Sequence, residues 1–235
     1  MNTPLLLRSA AAALACCATL AQAGPVVFEQ APQGASTGWT SQVGIGQGGY
    51  QAFDDFSVNR NARIGEVSWR GTYFTASGGG LHGTAPNTGA WTVEFWSGNA
   101  AGPLQQLYSQ DYSTALVNRR LVQTIDPAGA NIDIYDFSLD LTVDFDVVAG
   151  QQYWFSVVSK SGTFSPFFSW TNADPLGDTF QRMYDGQGRI LQTFMRGGDR
   201  AFTLSEHSVP EPASLALVAF ALLAGGTAAR VRARP

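Results

Sequence analysis

The chain has 235 residues, two cysteines and a formal net charge of −4, from 14 Lys and Arg against 18 Asp and Glu. Setting aside the charges of its two ends, Arg8, Glu211, Arg230, Arg232 and Arg234, leaves 10 basic and 17 acidic residues and a central charge near −7. That balance argues against nucleic acid or anionic lipid as a partner. Both cysteines, Cys16 and Cys17, fall in the first 23 residues, so the remaining chain has neither disulfide nor thiol chemistry, and residues 24–208 are long enough to bury one core without such staples.

Residues 1–23 carry Arg8 as their one charge, then an apolar stretch, then Ala21-Gln22-Ala23 ahead of Gly24. A basic start, an apolar centre and a small-x-small end describe a secretory signal peptide. The expected partners are therefore the Sec export machinery and a signal peptidase, with the mature chain beginning at Gly24. Ala13-Leu14-Ala15-Cys16 is a weak lipobox with its leucine misplaced.

From there the signal is strand throughout. In residues 137–147, Phe137, Leu139, Leu141, Val143, Phe145 and Val147 occupy one phase, while Ser138, Asp140, Thr142, Asp144 and Asp146 occupy the other. A period of two over that length predicts a half-buried antiparallel strand. The same alternation passes through Val67, Trp69 and Tyr73, through Trp91, Val93 and Phe95, through Tyr153, Phe155 and Val157, and through Phe202 and Leu204. Glycine-rich and polar segments at 44–49, 77–89, 98–103, 172–178 and 185–188 separate these runs as turns, and no stretch of 24–208 has the spacing of an amphipathic helix. The expected fold is all-β, an antiparallel two-sheet sandwich, jelly-roll-like.

Catalytic signals are sparse. Gly34-Ala35-Ser36-Thr37-Gly38 has the spacing of a hydrolase nucleophile elbow, but that motif needs a strand before it and a helix after it. The two histidines, His82 and His207, and the missing cysteines leave no zinc ligand set. Asp140, Asp144 and Asp146 could supply the paired carboxylates of a glycosidase, yet their phase sets them on a solvated sheet face, so the reading is non-enzymatic with a secreted glycoside hydrolase as an outside alternative.

Binding offers two candidates. Oxygen-rich clusters suit calcium, which sandwich domains use to pin loops together. Asp54 and Asp55 with Asp199 form one candidate set, and Asp174 with Asp178 another; adjacent strand residues face opposite ways, so a bulge is needed for Asp54 and Asp55 to act together. No cofactor beyond such a structural calcium is implied. The second candidate is a glycan site. Trp96 and Trp154 are out of phase with the core residues of their strands, and Glu94 shares the face of Trp96, an aromatic platform beside a polar guide. A carbohydrate-binding module is therefore the leading alternative function.

The end of the chain reads Val209-Pro210-Glu211-Pro212, an uncharged run over 213–229, and then Arg230, Arg232 and Arg234. About 17 residues at ~1.5 Å each reach ~26 Å, enough for a single transmembrane helix across a hydrocarbon core of ~30 Å. The arginines would hold the terminus on the cytoplasmic side and place the preceding domain outside. This tripartite tail resembles the PEP-CTERM sorting domain of exported bacterial proteins. The resemblance implies recognition of Pro210, Glu211 and Pro212 by an exosortase, transient anchoring in the inner membrane of a Gram-negative bacterium, and delivery to the cell surface or an exopolysaccharide matrix. Ala52-Phe53-Asp54-Asp55-Phe56-Ser57-Val58, Val67-Ser68-Trp69-Arg70-Gly71-Thr72-Tyr73, Ala149-Gly150-Gln151-Gln152-Tyr153-Trp154-Phe155 and Asp199-Arg200-Ala201-Phe202 likewise resemble the β-sandwich ectodomains that accompany such tails.

Overall fold

The computed structural model describes residues 24–34, 38–44, 46–75, 89–126, 132–161, 165–174 and 177–207. Contacts divide the chain into Val26–His207 and a second unit, Met1–Pro25 with Ser208–Pro235. Ala21 and Ala23 of the signal peptide, Ser36, His82, the sorting motif at 209–212, the apolar run and the arginine tail all lie outside the described residues.

The described residues form fourteen strands: β1 (Val26–Gln30), β2 (Gly38–Thr40), β3 (Gln42–Gly44), β4 (Gly48–Ser57), β5 (Ala62–Phe74), β6 (Ala90–Asn99), β7 (Gly102–Ser113), β8 (Asn118–Ile125), β9 (Ile132–Val147), β10 (Gln152–Ser161), β11 (Phe167–Thr171), β12 (Asp178–Tyr184), β13 (Ile190–Gly197) and β14 (Phe202–Ser205). A 3-10 turn at Thr114–Leu116 is the one helical element among the described residues. The all-β expectation holds, and the strands form two seven-stranded sheets.

In sheet I, β5 pairs with β9 along one edge, and β8 adds beyond β9. Along its other edge β5 meets two strands in succession, β14 opposite Glu66 to Trp69 and β11 opposite Gly71 to Phe74. The joint falls at Arg70, whose N–H donates to Ala201 O at 3.2 Å. Beyond these lie β1, paired with β14, and β2, paired with β11.

Sheet II runs β13-β12-β4-β3-β10-β6-β7. Its strands β4 and β10 pair directly from Asp54 opposite Phe155 to Ser57 opposite Gln152, then separate, and the three residues of β3 fill the gap. A strand wedged between two antiparallel neighbours must run with one of them, so β3 is parallel to β10 and the sandwich is not antiparallel throughout. The Ser41 hydroxyl secures the fork, donating to Val157 O at 2.5 Å and accepting from Ala52 N at 3.1 Å.

The core between the sheets is built from the phases read in the sequence. Val67, Trp69 and Tyr73, then Trp91, Val93 and Phe95, then Tyr153, Phe155 and Val157, then Phe202 and Leu204, are all buried in one cluster. Its contacts are largely aromatic: Phe95 stacks on Phe145 at 4.4 Å and Trp69 on Phe137 at 5.5 Å, pairs each worth about 0.5–1.5 kcal/mol beyond the buried area. One residue of the longest alternation departs from it. Phe137, Leu139, Leu141, Phe145 and Val147 are buried, but Val143 is 64 % exposed. Here β9 bulges away from β5, since Ile64 pairs with Phe145 while Glu66 pairs with Asp140. The His207 ring packs where a Cβ on Gly65 would stand, and Thr142 turns to β7, its N–H and hydroxyl bonded to the Tyr112 hydroxyl and Gln110 Oε1 at 3.3 and 2.6 Å. A bulge of this kind shifts the side-chain phase locally.

Candidate binding surfaces

The outer face of sheet II carries the residues expected to form a glycan platform. Trp96 and Trp154 are cross-strand partners, and both point away from the main core. They belong instead to a second apolar cluster with Phe53 and Phe180. Trp154 is 1 % exposed. The turn between β6 and β7 closes over it: its indole N–H donates to Asn99 O at 3.3 Å, and a Cβ on Gly98 would overlap its ring. Gly102 sits against the Phe180 ring in the same way. The Arg182 guanidinium lies 4.7 Å from the Phe53 ring centre and 4.8 Å from that of Trp96 and donates to Pro103 O at 2.9 Å. Glu94 accepts from Gln51 at 2.6 Å, from the Trp96 indole at 2.9 Å and from Ser109 at 3.3 Å. The face is thus internally bonded and covered, and Trp154 acts there in packing, with no ring surface left for a sugar.

The acidic candidates gather where the two sheets meet. Asp54 is inward on β4 and fully buried, whereas Asp55 points outward and bonds Gln152 at 2.8 Å. No bulge joins them, and they alternate as ordinary strand residues. The Asp54 carboxylate accepts from the backbone N–H of Arg200, from the N–H of Asp55 at 3.0 Å, and from the Gln30 amide at 2.8 Å. Burial pushes its carboxyl well above the usual range, the Arg200 N–H opposes that, and the Asp199 charge reinforces it. The Asp199 carboxyl is likewise raised by burial and then by Asp55, with a further push from Asp178. Asp199 is therefore within electrostatic reach of Asp54, Asp55 and Asp178. Asp174 lies in the exposed loop after β11. Among the described residues no three His, Cys, Asp or Glu side chains are arranged to hold a metal ion.

Arg200, which the sequence reading passed over, is fully buried beside this group. Its guanidinium donates to Thr179 Oγ1 at 3.2 Å, Trp170 O at 3.1 Å and Gly198 O. It joins β11 of sheet I to β12 of sheet II, and burial draws it down to about 10. Trp170, also fully buried, donates its indole N–H to Ala201 O at 2.9 Å. Trp39, at the edge on β2, carries the Arg196 guanidinium 4.5 Å above its ring.

Two of the β9 carboxylates, Asp144 and Asp146, are held by basic partners. Arg63 lies 3.7 Å from Asp144 and 3.1 Å from Asp146, and the His207 ring is 2.8 Å from Asp144. Asp140 faces Glu66 across the strands.

The outer face of sheet I holds a groove of about 640 Å³ that the sequence did not announce. Register places Glu29 of β1, Thr203 of β14, Ser68 of β5, Ser138 of β9 and Asn118 of β8 in one row across five strands. Five strands at ~4.8 Å spacing give a row of roughly 19 Å. One step along, Arg70, Asp136 and Arg120 form a second row. Arg70 holds Asp136 with two bonds, 2.7 and 3.1 Å, and Arg120 adds a third at 3.0 Å. Burial acts to raise the Asp136 carboxyl, and the two guanidiniums outweigh it, leaving it below the ordinary value. Of the five side chains in the first row, none has a hydrogen-bond partner among the described residues. Polar groups arranged this way are hydrated, and they are open to exchange that water for a ligand.

Comparison with known protein families finds no match, and neither does comparison with the curated proteins.

Proposed function

We propose that this chain is an exported, non-catalytic protein, sorted to the cell surface or an exopolysaccharide matrix through its Pro210-Glu211-Pro212 signal, with a jelly-roll-like sandwich as the delivered body. The observation that carries the reading is the order of parts in the last 27 residues: motif, membrane-length apolar run, arginines. The segments that flank the sandwich are a signal peptide, removed after Ala23, and a transmembrane helix over 213–229 that parks the chain until the exosortase acts. Among the described residues no helix is long and apolar enough to cross a membrane; the proposed span lies beyond them.

The body suits this route. Val26 pairs with Ser205, so the sandwich begins and ends at neighbouring points. With no cysteine after residue 17, it folds without an oxidation step after export. Expression of the full chain in exosortase-positive and exosortase-deficient strains of one Gram-negative host tests the reading. The protein should leave the inner membrane only in the first strain, and Pro210→Ala with Pro212→Ala should trap it there. The same distribution in both strains would refute the assignment.

The second reading, a carbohydrate-binding module, is favoured by the open polar groove of sheet I rather than by the closed aromatic cluster of sheet II.

A further inference from the structure

We infer that the groove on the outer face of sheet I is a binding site for an acidic polysaccharide, its hydroxyls taken by the Glu29–Thr203–Ser68–Ser138–Asn118 row and its carboxylates by Arg120 and Arg70. The choice of a polysaccharide rests on the proposed delivery to a matrix; the groove's chemistry supplies the rest.

The volume, about 640 Å³, falls within the ~300–1,000 Å³ common for ligand sites. Its floor is formed by Thr203, Ser68 and Ser138, whose short side chains leave room for a flat ring to approach the sheet. Three adjacent hydroxyls between one carboxylate and one carboxamide supply both donors and acceptors, which is what a sugar hydroxyl requires of its neighbours. A row that crosses five strands and is open along its length suits a chain rather than a compact molecule.

An open guanidinium selects the acidic class. Arg70 and Arg120 face the groove around Asp136, whereas Arg119 turns to the opposite face, its guanidinium 5.4 Å from the Tyr135 ring centre. Asp136 fixes the array: bound in bidentate fashion by Arg70, it also steadies Arg120, whose side chain is 79 % exposed. Arg120 places only one of its five N–H groups on Asp136, so it keeps a fork free for the carboxylate of a uronate. The sheet II face offers no such array, because its polar groups are bonded to one another.

The test is titration calorimetry on the full chain, purified in non-ionic detergent, with hexagalacturonate and with maltohexaose at low salt. Hexagalacturonate should bind at least tenfold more tightly than maltohexaose, and should weaken as salt is raised. Arg120→Ala, at an exposed position, should lower that affinity at least tenfold with an unchanged melting temperature, and Ser138→Val should lower affinity for both sugars. Equal binding by wild type and Arg120→Ala, no binding of hexagalacturonate, or equal affinity for the neutral sugar would each overturn the assignment. So would binding of polyglutamate of matched charge as tightly as hexagalacturonate, which would make the groove a site for anionic chains in general. Failure of tail cleavage would sink the sorting reading and leave this titration unaltered, so the two fail separately.

Discussion

Asp54 and Arg200 lie side by side inside the sandwich without joining their charged ends. The carboxylate accepts from the backbone N–H of Arg200, while the guanidinium turns to Trp170 O, Thr179 Oγ1 and Gly198 O. Each charge is solvated by a different part of the fold, and together they fasten the joint between β11 and β14 of sheet I to β4 and β12 of sheet II.

Arg200→Met keeps most of the volume and strips the donors from those three oxygens. Stability to urea should fall by about 3–5 kcal/mol, the range for removing one member of a buried charged group. Arg60→Met, which breaks the exposed pair with Glu206 at 2.6 Å, should change it by less than about 1 kcal/mol. Comparable losses in the two variants would show that Arg200 is not a structural tie.

The same pair sets the pH response. Burial raises the Asp54 and Asp199 carboxyls in the folded protein, so the native state holds those protons more tightly than the unfolded chain, whose carboxyls titrate near 3.9. Their contribution is most favourable below that value and is lost as pH rises through the raised folded values. Asp136 has the opposite sign: its folded value is depressed, so its stabilisation is present above the unfolded value and lost as pH falls through the folded one. Wild type should accordingly gain stability as pH drops from 7 toward 5. Asp54→Asn should flatten that rise, as followed by melting temperature against pH, whereas a slope unchanged by Asp54→Asn would contradict the assignment.

Trp154→Ala should cost about 3–5 kcal/mol, as removal of a sealed aromatic does, because Phe53, Phe180 and the turn at Gly98 lose the surface they pack on. It should leave hexagalacturonate affinity within twofold, measured on the fraction that remains folded. Trp96→Ala should likewise spare affinity, and a large loss in either variant would return the glycan site to sheet II.

Gly65→Ala probes the packing of His207 against β5. The added methyl would overlap the His207 ring, displacing it from Asp144 and disturbing the bulge of β9. The variant should unfold at lower temperature than wild type, and Gly65→Ala combined with His207→Ala should recover part of the loss. Additive effects would mean that the two residues do not share this space.

Much of the fold was legible because alternation reports burial directly, and the phases of β5, β6, β10 and β14 carried over residue by residue. Even Arg200 and Asp54 were readable in principle. Arg200 shares the phase of Phe202 and Leu204, and Asp54 that of Ala52 and Phe56, so two opposite charges stood in core positions and implied an internal tie. Val143 was misread because a bulge is a property of the pairing of β9 with β5, invisible in β9 alone. The phase of Trp154 sets it on the correct face of its strand, but nothing in β10 itself announces that the turn after β6 closes over it. The groove could not be foreseen, since Glu29, Ser68, Asn118, Ser138 and Thr203 become neighbours only through the register of five strands.

The proposed sorting route is tested most directly by intact-mass analysis of the protein recovered from the surface or matrix of exosortase-positive cells. The account predicts a chain that begins at Gly24 and has lost the apolar run together with Arg230, Arg232 and Arg234. A mature molecule that still carries those three arginines would contradict it.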